Sequence, residues 1–175
     1  MFIPGSVISV ATFPGVVIHE LAHQLFCRAF KVPISEVCYF RFGNPAGYVS
    51  HEKPSHWTHE VLISGGPFFL NTFIGAIFSF PVILKTNFGV LSFADCLLLW
   101  LSVSIAMHAI PSTGDAKCMW KAVSGNNAPL IAKLIVSPVI ALIYLLSLGS
   151  YIWLDLIFGV AICFLGPTLL VQMLS

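Results

Sequence analysis

The chain has 175 residues, of which 58% are hydrophobic and only 9% charged, with a formal net charge of +1. Soluble domains hold about 25% charged residues, so lipid must replace water over much of this surface, and the class is an integral membrane protein. The near-zero charge excludes a basic nucleic-acid-binding surface, and no nucleic-acid partner is expected.

About 20 apolar residues cross a bilayer core. In chain order, apolar runs cover residues 2–30, 61–84, 88–110 and 134–174. The N-terminal run lacks the basic flank of a signal peptide and is read as a retained span. The last run is long enough for two spans, with a turn near Leu148-Gly149-Ser150, or for one re-entrant hairpin. Five spans are therefore expected, with the lipid bilayer as the main surrounding. Arg28, Lys31, Arg41 and Lys53 follow the first run, and Lys117, Lys121 and Lys133 follow the third. The loop after the second run has only Lys85. This bias places those basic loops in the cytoplasm, the N-terminus outside and, with five spans, the C-terminus inside. The cell membrane is the expected location. Asp95 and Asp155 are expected near the outer surface.

Residues 35–54 are rich in aromatic and β-branched types around Gly43-Asn44-Pro45-Ala46-Gly47, which reads as a β-hairpin between the first two spans. Cys27, Cys38, Cys96, Cys118 and Cys163 show no paired spacing and read as core or lipid-facing thiols. His51, His56 and His59 flank Trp57 and read as a solvated interfacial face. The sequence shows no internal repeat and sets no oligomeric state.

The chemistry concentrates in His19-Glu20-Leu21-Ala22-His23. Residues four apart share a helix face, so both imidazoles can reach one zinc ion. Glu20 then sits beside the metal, where a general base for activated water belongs. Three ionisable groups in five apolar-flanked residues are costly in lipid, about 2.5–3.5 kcal/mol each at the bilayer centre on insertion scales. They imply a metal or a hydrated cavity. A haem clamp is the other use of two histidines, but it has no need of Glu20. A catalytic zinc needs a third protein ligand. Asp115 and His108, at the end of the third run, are the choices. His108 can equally support the ligands from behind. Asn71, inside an apolar run after Gly65-Gly66-Pro67, needs a partner for its amide. It can hold a substrate carbonyl or oxyanion or brace two helices, and the Gly-Gly-Pro segment permits a local helix break.

Over residues 8–120 the chain resembles the site-2 protease family of intramembrane zinc metalloproteases. Three features carry the resemblance in order: HExxH in an apolar helix, Gly66-Pro67 followed by Asn71, and Pro111 followed by Asp115. The third departs from the family pattern. His108 stands where the family has Asn, Ala116 follows Asp115 where the family has Gly, and the Pro-to-Asp spacing is one residue short.

The resemblance implies one membrane-embedded metalloprotease domain over residues 1–175. Its three-helix catalytic core covers about residues 1–122, and further spans cover about 134–174. It implies zinc held by His19, His23 and Asp115, with Glu20 as base and Asn71 as a catalytic-site residue. The implied activity is zinc metalloendopeptidase cleavage of a membrane-protein substrate in or near a transmembrane segment, on the cytoplasmic side, with the hairpin guiding an extended strand. The rival reading is a non-catalytic metal- or haem-binding membrane protein, or a helix-binding pseudoprotease.

Overall fold

The computed structural model describes residues 5–86, 90–125 and 127–174. The expected span starts at Phe2 and Phe88 lie outside them.

The first apolar run forms two helices, α1 (Gly5–Ala11) and α2 (Phe13–Ala29), that meet at an angle of 88°. Pro14 explains the break. It has no N–H to give to the preceding turn, and its ring favours the first turn of a new helix. Ser104 caps α2 from a neighbouring helix: its hydroxyl accepts from Gly15 N–H at 3.1 Å and donates to the Thr12 carbonyl at 2.9 Å. At the other end, Lys31 takes a left-handed conformation with φ 55°. Val32 N–H then donates to the Cys27 carbonyl at 2.8 Å, and Lys31 N–H to that of Arg28 at 3.1 Å. This is a helix stop of the Schellman type. Cys27 and Val32 bury together against Ile63.

The expected hairpin is present. Strand β1 (Ile34–Cys38) pairs antiparallel with β2 (Tyr48–His51), Val37 opposite Val49, with a bulge between Ile34 and Glu36. The long helix α3 (Trp57–Thr86) follows and runs unbroken through Pro67 and Pro81, so the local break expected near Gly65-Gly66-Pro67 does not occur. Helix α4 (Phe93–Met107) starts at a capping box made by Ser92 and Asp95, and α5 (Thr113–Ser124) starts at a second one made by Ser112 and Asp115. Then come α6 (Leu130–Leu148), a 3-10 turn (Gly149–Ile152) and α7 (Leu154–Leu174). The helix is interrupted near Leu148-Gly149-Ser150, where the turn is expected.

Among the described residues, two stretches, Trp57–Lys85 and Leu130–Ile152, are long and apolar enough to cross a membrane, or three if the bent α1–α2 pair is one span. The chain is therefore a largely helical membrane protein, with fewer such helices than the five spans expected. Hydropathy counts apolar residues but does not see Pro14 divide the first run, or the Ser92 cap delay α4 until Phe93.

Helix α3 is the axis, and its two halves carry different partners. Near its start, Trp57 and Val61 pack on Met119 and Val123 of α5, which in turn hold Ile140 of α6. Ile63 holds α2. Farther along, α4 and α7 take over: Phe158 lies 5.8 Å from Phe68, and the Cys163 thiol faces the Gly75 carbonyl. These contacts make α7 parallel to α3. Its C-terminal end therefore lies with Lys85, at the end of α3 away from the hairpin. Helix α6 packs instead where α3 begins, so the expected antiparallel pair of spans does not form. With five spans the C-terminus was expected beside the basic loops; α7 instead runs toward the level of Lys85.

Candidate metal centre

The centre lies where α2, α4 and α5 meet against α3. Gly15 makes the α2–α4 approach possible, because a Cβ there would stand 1.9 Å from the Ser104 carbonyl oxygen and 2.5 Å from the His108 ring. That closeness sets His19 beside the end of α4. Its Nδ1 lies 2.6 Å from the His108 carbonyl oxygen. The Nδ1 of His23 lies 2.8 Å from that of Ile63. A carbonyl only accepts, so both Nδ1 atoms carry the proton and donate. In the neutral rings both Nε2 atoms therefore present lone pairs.

Both carbonyls are free for identifiable reasons. Ile63 would ordinarily accept from the N–H four residues on, but that residue is Pro67, which has none. His108 caps α4, and the N–H four residues on, that of Ser112, donates to Asp115 Oδ2 at 2.7 Å instead. Helix ends and prolines thus supply the groups that orient both imidazoles.

Asp115 completes the cluster. Its capping box fixes it, with the Ser112 hydroxyl donating to Oδ2 at 2.6 Å. Oδ1 lies 3.4 Å from His23 Nε2, and Oδ2 lies 3.6 Å from His19 Nε2.

The donor set fits a metal. The two Nε2 atoms are 3.1 Å apart, and one donor atom from each of the three residues falls within 4.8 Å of the others. Ligands on a tetrahedral zinc at about 2.0–2.1 Å would stand about 3.3 Å from one another. Two lone pairs and a carboxylate facing one point repel unless a cation lies between them. Among the described residues this is the one such grouping of His, Cys, Asp and Glu.

His108, the alternative third ligand, turns its ring away. The Thr12 hydroxyl donates to the Ile8 carbonyl at 2.7 Å, so it accepts from His108 Nε2 at 2.8 Å. The residue supports the centre through its carbonyl. Asn71 is fully buried, and its Nδ2 donates toward the carbonyls of Gly15, Ile105 and His108 at 3.1–3.4 Å. Its donors are engaged in tying α2, α3 and α4 together, which makes it a brace rather than an oxyanion donor. Its Oδ1 has no hydrogen-bond partner among the described residues.

Glu20 is buried, and its carboxylate makes no hydrogen bond to another described residue. The hairpin loop lies against it: a Cβ on Gly47 would stand 2.7 Å from Glu20 Cγ. Tyr39, just after β1, donates to the Gln24 amide oxygen one turn further along α2 and fixes the hairpin there. A cavity of about 650 Å³ opens over His19, Glu20, His23 and Asp115.

Asp155 lines the same cavity, with Ser150 and Tyr151. It was expected with Asp95 near the outer surface. Its placement follows from the direction of α7, for which the sequence holds no signal beyond a carboxylate between apolar runs. Asp95 does lie at the far end, paired with Lys85 at 2.9 Å. Of the remaining histidines, His59 stacks on Phe30 at 4.5 Å, and His56 is exposed.

No protein-family model matches the chain, and no curated protein or solved structure matches it significantly.

Proposed function

We propose that the protein is an intramembrane zinc metalloprotease of the site-2 protease type, cleaving a peptide bond in or beside a transmembrane segment of another protein. One observation carries this reading. Two imidazoles with carbonyl-locked Nδ1 protons and one capped aspartate converge on a point, and an unbonded glutamate shares their cavity. His19, His23 and Asp115 would hold the metal. Bound there, zinc would supply Lewis acidity, lowering the pKa of a water toward about 7 and polarising the scissile carbonyl.

Glu20 takes the proton from the attacking water and returns it to the leaving amine. Its lack of other hydrogen bonds leaves both oxygens free for that exchange. Asn71 is a positioning residue. It keeps the His108 carbonyl aligned on His19. The β2 strand runs past Glu20 with a free edge and can pair with a substrate strand that has unwound from its helix. The lysine and arginine bias supports a cell-membrane orientation with this end in the cytoplasm and the N-terminus outside.

A haem clamp fits less well, because Nε2 atoms 3.1 Å apart on one helix face leave no room for a porphyrin between them. The pseudoprotease reading predicts a folded protein without turnover. The test is elemental analysis of the purified wild type, beside cleavage of a panel of reconstituted single-span reporters. About one zinc per chain, with cleavage lost in Glu20→Gln, supports the protease. Zinc without cleavage of any reporter would sink it.

A further inference from the structure

A second cavity, of about 580 Å³, lies on the other side of the hairpin, between β2, the start of α3 and α5. Lys53 and Lys121 line it, and neither has an ion-pair or hydrogen-bond partner among the described residues. His56, whose Nδ1 accepts from Thr58 N–H, adds a ring N–H, whereas His51 gives its Nδ1 proton to the Glu52 carbonyl; Glu60 is the only carboxylate among the lining residues. Unpaired ammonium groups facing one concavity form charge-assisted hydrogen bonds most readily with carboxylate or phosphate oxygens.

Val49, His51 and Cys118 line both cavities, so the basic cavity and the metal cavity share a wall. Strand β2 runs along that wall, from Tyr48 beside the metal cavity to Ser50 and His51 beside the basic one. An extended chain paired to this edge advances about 3.4 Å per residue. A strand whose scissile bond lies at Glu20 therefore reaches Lys53 about four to six residues later.

We infer that the basic cavity is a subsite for acidic side chains of the cleaved polypeptide, placed a few residues to one side of the scissile bond. This rests on the protease reading of the metal centre, and it adds a substrate class: membrane proteins with aspartate or glutamate just outside the segment that is cut. The shared wall favours a polypeptide over a lipid headgroup, because a chain engaged at the metal is carried into the cavity by the strand itself.

The experiment separates binding from cleavage. Labelled extended peptides carrying Glu, Gln or Lys at the critical positions are titrated into full-length Glu20→Gln protein in nanodiscs of neutral lipid, read by fluorescence anisotropy. The expected result is at least about tenfold tighter binding of the Glu peptide. A Lys53→Glu/Lys121→Glu variant should lose that preference and favour the Lys peptide, with metal content unchanged. If the reversed pair does not fold, Lys53→Met/Lys121→Met should abolish the preference without inverting it.

Equal binding of the three peptides, or a preference indifferent to the lysine changes, overturns the subsite. So does a pattern in which the lysine changes alter only binding to vesicles of anionic lipid, since that marks a phosphate site. The two readings fail separately. Charge-selective binding with no cleavage by the wild type would sink the protease and leave the subsite standing. Cleavage without charge preference would do the reverse.

Discussion

The two ends of α3 use proline and polar residues in opposite ways. At the far end, where α4 and α7 pack on Gly75 and Ser79, serine hydroxyls donate within their own helices, and the Lys85–Asp95 ion pair joins α3 to α4 at its rim. Ser79 donates to the Ala76 carbonyl at 3.0 Å and Ser102 to that of Leu98 at 2.6 Å. At the hairpin end polar groups reach across to other helices. Ser104 caps α2, Asn71 joins three segments, and the residue opposite to Pro67's gap is a histidine of α2. Polar groups satisfied locally give a bundle that needs no ligand. Groups satisfied across helices give a site whose geometry fails when one partner moves.

That contrast can be broken at several points. The largest effect is expected at Glu20→Gln, which should lower turnover by about 10²–10⁴ while leaving metal content and the fold intact, as measured by kinetics beside elemental analysis. Asp115→Ala should remove the bound metal along with activity, and His108→Ala should spare the metal, because only its backbone touches His19. Pro67→Ala sharpens the comparison further. A restored N–H at 67 competes with His23 for the Ile63 carbonyl, and metal affinity should fall about 10–100-fold although no ligand has changed. Pro81→Ala, at the far end, should leave metal affinity unaltered. Gly47→Ala should push Glu20 aside and reduce turnover more than metal content. The smallest functional effect is expected for Val82→Ala, fully buried at the far end. It should cost about 1–3 kcal/mol of stability, read as a lower Tm, with metal stoichiometry unchanged.

Local rules made the centre legible. The spacing of His19 and His23 set a shared face, the hairpin followed from its turn residues, and Asp115 stood at the depth of His23. The missing N–H of Pro67 also leaves the Ile63 carbonyl without a helical donor, a signal present in the sequence although the segment reads there only as permitting a helix break. What remained hidden depends on how helices pass each other. The amide of Asn71 found backbone carbonyls because Gly15 lets α2 come close enough, and no local pattern states that. The ring of His108 went to Thr12 because the chain bends there. Asp155 reached the metal cavity because α6 stays at the start of α3 and α7 continues along it in the same direction. Apolar letters record how much chain lipid can accept, but not where a run is divided or which way its pieces point.

The length of α4 has a consequence for how water arrives. Its 15 residues measure about 22 Å, short of the roughly 30 Å of hydrocarbon in a typical bilayer. One more turn would use up the His108 carbonyl within the helix and take it from His19. The centre therefore limits how long α4 can be, and the unfilled depth below its last turn is where the metal cavity opens. On the proposed reading, a helix shorter than the bilayer would bring the aqueous boundary to the metal, without a pore having to be built.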